Sequence, residues 1–348
     1  MNEERALELI ERVRAKPLRF KDAQITMSHG AGGKASRVLV EGLLAPALGV
    51  DDLDDAASVG ELALTTDSFV VKPLRFPGGS IGELAVNGTV NDLAVSCARP
   101  VALTLSLVLE EGLSSDDLRA EVEAIAAAAS AAGVSVVGGD TKVVERGKCD
   151  GMYITTTGLG RLDPRAAVSP DSLRPGDRVL VSGSIGEHGI AVMLARGEFE
   201  LDAPVSSDTR PLWPAVDALL DAAGTDVRCM RDATRGGVAT VLNELARASA
   251  VAIVVSESRV PVQPAVAGAC EILGLDPMYV ANEGTFLVFV APSSADAALA
   301  ALRAAGCEGA AEIGEVKTEP PGLVLVETGF GGRRVMDMLV GDPLPRIC

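Results

Sequence analysis

The chain has 348 residues, of which 48% are hydrophobic, 23% are charged and only 3% are aromatic. This composition is typical of a soluble globular protein long enough for two domains, and it excludes a disordered chain. The formal net charge of −17 argues against a nucleic-acid-binding surface, because phosphate contacts require clustered Lys and Arg. Local amides, cations or metal ions can still hold a phosphate ligand on an acidic protein.

Neither a leader nor a membrane segment is expected. The start of the sequence is charged throughout, and no stretch approaches the ~18 consecutive apolar residues of a membrane span. The six cysteines include no C-x-x-C pair, which excludes ordinary zinc ribbons and indicates reduced thiols. Only two histidines, His29 and His188, are present, so a histidine-rich metal site is excluded. We therefore expect a cytoplasmic protein.

Strands and helices alternate in the first half of the chain. Residues 2–16 predict a short amphipathic helix, 23–28 a strand, and 29–36 ("HGAGGKAS") a glycine-rich turn. Further strands are predicted at 61–71, 101–109, 134–140 and 151–162, and helices at 81–98 and 115–133. The second of these helices has Ser115 or Asp116 near its N-cap.

The second half repeats this style after a segment rich in Pro, Asp and Ser at 163–177, which is the best linker candidate. Strands are predicted at 178–184, 252–258 and 284–291, and helices at 186–197, 238–249 and 295–306. We predict an α+β protein with an amino-terminal extension and glycine-rich lid (1–40), two α+β domains (41–163 and 164–328) and a mobile tail (329–348).

Four acidic motifs stand beside glycines or at strand ends and carry Asp67, Asp92, Asp140 and Asp232. Asp67 interrupts an apolar strand, where a lone carboxylate is costly unless it is paired or bound to metal. On the following helix Asn91 lies next to Asp92. Singly, such residues are commonly turn formers or helix caps. Together, hard oxygen ligands without His or Cys suit Mg²⁺ that bridges the phosphates of a nucleotide.

Three other motifs are ambiguous. Gly138 and Gly139 follow a strand and could let the backbone turn sharply towards a ligand before Asp140. The segment "HGAGGKA" is not a P-loop, because Ala35 follows Lys34 where that motif needs Ser or Thr. It is either a lid that brings Lys34 over phosphates or a simple turn. His188 in "GEHGIAV" has the position of a capping or packing histidine at a helix start.

In this order, the motifs resemble the HypE family, the carbamoyl dehydratases of [NiFe]-hydrogenase maturation. The resemblance rests on "HGAGGK", "DSFVVKPLRFPGGSIGELAVNGTVNDLAV", "GGDTKVVERG", "GEHGIAVM", "RDATRGGVATVLNELA", "ANEGT" and the terminal "PRIC". It extends from about residue 24 to the end, and related ATP-using enzymes of the aminoimidazole-ribotide and selenophosphate synthetase superfamily lack the cysteine tail. It implies a two-domain PurM-like fold whose amino-terminal domains close a β-barrel at a dimer interface.

The resemblance also implies the activity and the partners. A carbamoyltransferase, HypF, would load a carbamoyl group onto the thiol of Cys348, and the loaded tail would enter the protein's own site for ATP and Mg²⁺. Dehydration would leave a thiocyanate, which supplies cyanide to the iron carried by a HypC–HypD complex. The sixteen residues from Arg333 to Cys348 span at most roughly 50–55 Å when extended, so the thiol can reach its own site or a partner.

The resemblance assigns individual residues. Cys348 carries the substrate, while Lys142 and Glu283 handle the dehydration, with Glu283 as the base and Lys142 orienting the group or balancing charge. Asp67, Asp92 and Asp140 are the implied Mg²⁺ ligands, with Asn91 close to them and Asp232 as a further nucleotide-binding candidate. The glycine-rich motifs add Gly139 and Lys34 to the predicted nucleotide-binding residues. One departure from the family pattern is Ala233, where proline is usual.

Two alternatives remain open at this point. The first is a small-molecule enzyme of the same superfamily, such as a selenophosphate synthetase or a thiamine-phosphate kinase. A selenophosphate synthetase normally needs Cys or Sec in the glycine-rich segment, and the first cysteine here is Cys97. The second alternative is a scaffold that binds ATP as a conformational signal and docks a metallochaperone through Cys348.

Overall fold

The computed structural model describes residues 18–50, 53–197, 203–341 and 346–348. The helix predicted at 2–16 lies outside these residues. Most of the described chain forms two units of mixed helices and strands, each built around its own sheet. No helix among the described residues is long and apolar enough to cross a membrane.

The amino-terminal sheet has the strand order β1-β2-β7-β5-β6, with β5 and β6 parallel and the other pairs antiparallel. Its strands are β1 (Ala57–Val59), β2 (Leu62–Phe69), β5 (Ala98–Glu110), β6 (Ser135–Val144) and β7 (Met152–Leu162). The short strands β3 (Arg75–Phe76) and β4 (Gly79–Ser80) form a separate ribbon. The helices are α1 (Lys34–Leu39), which continues through a π-helical turn (Val40–Leu44) into α2 (Ala45–Leu48), α3 (Ile81–Val95) and α4 (Ser115–Ala132).

Local sequence explains why α4 begins and ends where it does. Ser114 is the N-cap, and its side chain accepts a hydrogen bond from the backbone N–H of Asp116. Acidic residues in the first turn complement the helix dipole, and Gly133 ends the helix in the left-handed conformation at φ 69°. The prediction placed the N-cap one or two residues too late.

Only one face of the amino-terminal sheet is covered. Along β2 the residues Ala63, Thr65 and Phe69 are buried beneath the helices, whereas Leu62 and Leu64 on the opposite face are exposed. β6 is exposed along nearly its whole length, including its valines. An uncovered apolar face of this kind indicates an interaction surface.

The carboxy-terminal sheet has seven strands in the order β14-β13-β10-β12-β8-β11-β9. They are β8 (Arg178–Val181), β9 (Val227–Asp232), β10 (Ala252–Ser256), β11 (Phe286–Val290), β12 (Ala311–Lys317), β13 (Val324–Glu327) and β14 (Arg333–Met336). The helices are α5 (Glu187–Ala195), α6 (Trp213–Ala223), α7 (Gly237–Ala248), α8 (Pro264–Leu273) and α9 (Ala295–Ala304). Separate apolar clusters cover the two faces of this sheet, and every residue of β11 is buried.

Most of the predicted elements are present, and three predictions need correction. Residues 23–28 are not a strand, because Thr26 caps a 3₁₀ turn at Met27–Gly30. The chain does not turn at Gly138 and Gly139, since β6 runs through both in register with β5. The segment predicted as a tail contains β14, which pairs with β13.

Asn91 on α3 ties the amino-terminal domain to the carboxy-terminal one. Its buried side-chain amide donates to the carbonyl oxygens of Arg210 and Glu283, both at 3.0 Å, and its oxygen accepts from the backbone N–H of Leu212 at 2.8 Å. One turn earlier, Asn87 makes a single side-chain bond to Thr209, at 3.1 Å. Asn91 therefore fixes the loop that carries Glu283.

Replacing Asn91 by Ala should lower the free energy of unfolding by about 3 kcal/mol or more, because three buried backbone groups lose their partner. Asn87→Ala is the matched control and should cost roughly 1 kcal/mol, since one bond is lost. Urea unfolding of both variants measures the difference. Equal losses for the two variants would contradict the role of Asn91 between the domains.

Candidate active site

Four of the predicted acidic side chains meet where the two domains face each other. Asp67 lies on β2, Asp92 on α3, Asp232 at the end of β9, and Glu283 in the loop before β11. The three aspartates are half-buried, and Glu283 is buried. Two domains thus contribute carboxylates to one place, which we call the acidic cluster.

The electrostatics of the acidic cluster follow from its burial and its like charges. Burial and the neighbouring carboxylates of Asp232 and Asp67 raise the pKa of Asp92 well above 3.8. Burial and the carboxylates of Asp232 and Asp208 likewise raise the pKa of Glu283 well above 4.5. Groups with such raised pKa values hold protons readily and favour any cation that enters.

Sequence reasoning missed Asp55, a fifth carboxylate beside the acidic cluster. Burial raises its pKa to about 6, although Arg231 opposes this shift. Arg231 forms ion pairs with Asp55 and, at 2.9 Å, with Asp54. One carboxylate oxygen of Asp55 is buried without a hydrogen-bond partner. The acidic run around residue 55 resembles an ordinary solvated surface segment in the sequence, so no local signal distinguished it.

Arg235 is the cation that links the acidic cluster to the end of the chain. The negative charge at Cys348 is the main cause that raises the pKa of Arg235, and Asp67 and Glu283 add to it. The guanidinium donates to the carbonyl oxygen of Gly30 at 3.0 Å, which also brings the glycine-rich segment to this point. The motif "RDATRGG" contained Arg235, but nothing in the sequence assigned it this position.

The glycine-rich segment packs against the turn at Arg235. Gly32 has φ +72°, and a Cβ there would lie 2.4 Å from the carbonyl oxygen of Arg235, so only glycine fits. Lys34, predicted as a lid residue over phosphates, instead forms an ion pair of 2.6 Å with Asp337. Its backbone N–H also donates to the carbonyl of Leu339 at 3.0 Å. In this structure Lys34 holds the carboxy-terminal segment rather than a site over the acidic cluster.

Asp140 and Lys142 are not brought to the acidic cluster within one chain. They form an exposed ion pair of 2.6 Å on the edge strand β6, and this pair lowers the pKa of Asp140. Strands β5 and β7 separate β6 from β2, which places Asp140 three strand spacings, roughly 14 Å, from the level of Asp67. Position 139 must be glycine, because a Cβ there would lie 2.0 Å from the carbonyl oxygen of Leu105 on the neighbouring strand β5.

Cys348 lies next to the residue that follows β2. One of its main-chain carboxylate oxygens accepts from the backbone N–H of Val70 at 3.1 Å. The residue lines a cavity of about 150 Å³ together with Ser68, which follows Asp67, and with Arg235. Arg235, on whose pKa both Cys348 and the acidic cluster act, therefore links the half-buried terminal cysteine to that cluster.

The acidic cluster fits magnesium in its donor chemistry, because all its side chains offer hard oxygen ligands. Among residues 18–50, 53–197, 203–341 and 346–348, no three carboxylate, His or Cys side chains form a group that could hold a metal ion. Magnesium in nucleotide sites commonly takes one or two carboxylates and completes its shell with phosphate oxygens and water. The carboxylates of the acidic cluster fit a magnesium site of this kind, which a nucleotide completes.

Comparison with known proteins identifies both domains. Models of the N-terminal and C-terminal domains of AIR synthase related proteins match residues 53–162 and 174–326. The carbamoyl dehydratase HypE of Rhodobacter capsulatus is 45% identical over 339 residues, which cover 94% of this chain and 99% of the relative. The HypE of Escherichia coli (strain K12) is 43% identical over 337 residues, with 93% and 99% covered.

Solved structures agree with the sequence relatives. A structure of a HypE–HypF complex superposes with a TM-score of 0.83 at 44% identity and covers 86% of this chain and 99% of that chain. A structure of HypE in complex with ATP gives a TM-score of 0.79 at 44% identity, with 93% and 100% covered. A ThiL structure, at 21% identity and a TM-score of 0.66 over 90% of this chain and 99% of that one, shows the fold alone. These relatives confirm the resemblance found in the motifs, and the chain belongs to the HypE family of carbamoyl dehydratases.

Proposed function

We infer that this protein uses ATP to dehydrate an S-carbamoyl group on its own Cys348 to a thiocyanate, which supplies cyanide ligands for the iron of [NiFe]-hydrogenase. The observation that carries this inference is the position of Cys348. The terminal cysteine lines a cavity together with Arg235, and the pKa of Arg235 is raised by both Cys348 and Asp67, so the proposed substrate group is linked through this cation to a site suited to phosphates and cations. The family membership supplies the reaction class.

The chemistry has two steps, because the oxygen of an amide is a poor leaving group. The γ-phosphoryl group of ATP is transferred to the carbamoyl oxygen, and loss of one N–H proton gives an iminophosphate. The carbon–oxygen bond then breaks, phosphate leaves and the second N–H proton is removed, so that –S–C≡N remains. The products are the thiocyanate, ADP, phosphate and a proton. The protein positions these groups and accepts the protons.

Glu283 is suited to the role of base. Its raised pKa lets the carboxylate accept and hold a proton taken from the carbamoyl nitrogen. Asp208 accepts hydrogen bonds from the backbone N–H groups of Glu283 and Gly284, both at 2.9 Å, and Asn91 holds the carbonyl of Glu283. Asn91 is therefore assigned the role of a positioning residue, and its nucleotide-binding role stays a prediction.

Magnesium and the nucleotide are assigned to the acidic cluster. Asp67 and Asp92 would hold Mg²⁺, with Asp232 close to the phosphates and Arg235 balancing their charge. Binding of a cation is favoured there because the carboxylates raise one another's pKa. A solved structure of a relative in complex with ATP supports the nucleotide.

A second copy of this chain would complete the site. The uncovered face of the amino-terminal sheet exposes Leu64, Val101 and Val137, and closure of two such faces into a β-barrel would bury them. In that dimer, Asp140 and Lys142 on the exposed edge strand of one subunit would reach the acidic cluster of the other. This arrangement accounts for two predicted site residues that lie far from the acidic cluster in their own chain.

The partners follow from the same reaction. A carbamoyltransferase, HypF, would load Cys348, and the structure of a HypE–HypF complex among the relatives supports this pairing. A HypC–HypD complex that carries iron would accept the cyanide. The five cysteines other than Cys348 are buried and are not in disulfides, and we place the reaction in the cytoplasm.

The direct test supplies ATP, Mg²⁺, carbamoyl phosphate and the carbamoyltransferase and then measures the mass of the carboxy-terminal peptide. Cyanation of Cys348 adds about 25 Da, whereas Glu283→Gln should stop at the carbamoyl form, about 43 Da heavier. Loss of the base should slow dehydration by at least about 100-fold. The exposed Glu271 on α8 provides the matched control, Glu271→Gln, which should behave as the native chain. An unmodified Cys348 with intact ATP would contradict the proposed function.

The acidic cluster should make stability fall as pH rises. Asp67, Asp92, Asp232 and Glu283 have raised pKa values in the folded state, so above about pH 4 these four side chains bind more protons in the folded protein than in the unfolded chain. Their contribution to the free energy of unfolding should therefore decrease as the pH rises above about 5, and Mg²⁺ should weaken this decrease because it binds the ionised carboxylates.

Urea unfolding across that pH range, with and without Mg²⁺, measures the effect. Asp92→Asn removes one of the titrating groups and should reduce both the pH dependence and the response to Mg²⁺. The same pH dependence in Asp92→Asn and the native chain would show that the acidic cluster does not titrate as described.

A dimer should sediment at twice the 35.7 kDa mass of the chain. Val137→Glu places a charge on the exposed face of β6 and should give a monomer that no longer dehydrates. Leu48→Glu is the matched control, because Leu48 is an equally exposed apolar residue on α2 rather than on the sheet. Sedimentation of the native chain as a monomer would overturn the dimer proposal.

A further inference from the structure

His188 is a buried titratable residue that the proposed chemistry does not use. It lies in the first turn of α5, and its side chain is completely inaccessible. Its Nε2 atom is 2.6 Å from the carbonyl oxygen of Ile347, and its Nδ1 atom is 2.8 Å from the hydroxyl of Ser207. A carbonyl oxygen can only accept, so Nε2 carries the hydrogen and donates it to the residue before Cys348.

The surroundings of His188 fix this arrangement. Burial lowers the pKa of His188, so the neutral ring is favoured, with Nδ1 accepting from the Ser207 hydroxyl. The ring of Phe76 meets the imidazole edge to face, with centroids 5.3 Å apart. The Nε2–H group thus points at the tail from a rigid site, and departure of the tail would leave a buried donor without an acceptor.

Other groups hold the neighbouring carbonyls of the tail. The backbone N–H group of Val70 donates to a main-chain carboxylate oxygen of Cys348 at 3.1 Å, and that of Lys72 donates to the carbonyl oxygen of Arg346 at 3.3 Å. The guanidinium of Arg196 donates to the carbonyl of Arg346 at 2.7 Å and to that of Lys72 at 2.9 Å. The carbonyls of Arg346 and Ile347 and the carboxylate of Cys348 therefore all accept hydrogen bonds.

The side chains of the tripeptide are also held. Ile347 is only 5% exposed and belongs to the apolar core beneath the amino-terminal sheet and α5. Arg346 forms an ion pair with Asp150, and its guanidinium donates to the carbonyl of Val70 at 3.3 Å. These contacts go to the backbone and to residues 346 and 347, so they persist when the sulfur of Cys348 carries a carbamoyl or cyano group.

We propose that His188, Arg196 and the Val70–Lys72 segment form a tail clamp, which recognises Arg346 and Ile347 and thereby positions the sulfur of Cys348 in the cavity. His188 is a positioning residue, since it acts on the substrate group through the Ile347 carbonyl. The tail clamp competes with any other enzyme that must take up the same thiol. This inference rests on the proposed function for its effect on the reaction, but not for the docking itself.

Two opposite effects follow for the two half-reactions. A weakened tail clamp leaves Cys348 outside its own site for a larger fraction of the time, so dehydration slows. The same change exposes the thiol to the carbamoyltransferase, so carbamoylation stays as fast or becomes faster. A residue with a merely structural role would slow both half-reactions together.

The first test measures docking without ATP or a partner, by the rate at which a thiol reagent such as dithionitrobenzoate labels the protein. The other five cysteines are buried, so the fast phase reports on Cys348 and is absent from Cys348→Ala. His188→Leu should raise the labelling rate about tenfold, because one hydrogen bond to a buried partner is lost. His188→Gln should restore the slow rate, since its side-chain amide can donate from the position of Nε2.

Ile347→Ala keeps His188 in place and should also raise the labelling rate of Cys348. If His188→Leu is unfolded, all six of its cysteines will be labelled, and Ile347→Ala then provides the test of the tail clamp. Ile272→Ala, at an exposed position on α8, is the matched control and should leave the rate unchanged. Labelling of folded His188→Leu at the native rate would overturn the tail clamp. If His188→Leu is unfolded, labelling of Ile347→Ala at the native rate would overturn it.

The second test compares single-turnover carbamoylation and dehydration in the same variants. The tail clamp predicts about tenfold slower dehydration with undiminished carbamoylation for His188→Leu, and native behaviour for His188→Gln. Equal loss of both rates would overturn the positioning role. A different result would separate the two proposals. If the variants are labelled faster but the native chain forms no thiocyanate, the tail clamp is supported and the proposed function is refuted.

Discussion

The structure depends on a concentration of negative charge between two domains. Asp67 and Asp92 come from the amino-terminal domain, and Asp232 and Glu283 come from the carboxy-terminal one. Burial raises the pKa of each, and neighbouring carboxylates raise those of Asp92, Asp232 and Glu283 further, so the acidic cluster needs protons, arginines or an entering cation to be stable. Arg235 meets part of this need and, through its charge interaction with Cys348, also connects the acidic cluster to the end of the chain.

A tethered substrate explains why so many contacts converge on a terminal tripeptide. A free small molecule needs a site that binds its own atoms, but a thiol on a tail can be placed by residues that never touch it. His188, Arg196 and the Val70–Lys72 segment hold the backbone of the tail, whereas the acidic cluster and Glu283 surround the place of reaction. Positioning and chemistry are thus divided between two sets of residues in the proposed mechanism.

Local patterns in the sequence were sufficient to predict β2, α3 and α4, because the alternation, helical periodicity and capping residues that define them lie within each segment. They were insufficient for α6 and α8, where proline in the first turn and a high apolar content hid the helical pattern. The acidic cluster was predicted in part, since Asp67, Asp92 and Asp232 interrupt apolar or glycine-rich segments. Family resemblance, rather than periodicity, singled out Glu283.

The contacts that the sequence did not indicate join residues far apart in the chain. Lys34 pairs with Asp337, 303 residues away, and no pattern around Lys34 indicates this. Arg235 gains its role from Cys348 and Gly30, which only the folded chain brings together. Asp140 and Lys142 lie on β6, the edge strand of the described amino-terminal sheet, so their predicted roles depend on the proposed dimer.

The central claim is that ATP activates the oxygen of a carbamoyl group held on Cys348. The most direct measurement loads Cys348 with a carbamoyl group that carries ¹⁸O in its carbonyl and follows the label through one turnover with Mg²⁺ and ATP. If the γ-phosphoryl group is transferred to that oxygen, one ¹⁸O atom per turnover appears in the inorganic phosphate. Unlabelled phosphate, with the ¹⁸O released into water, would contradict the account.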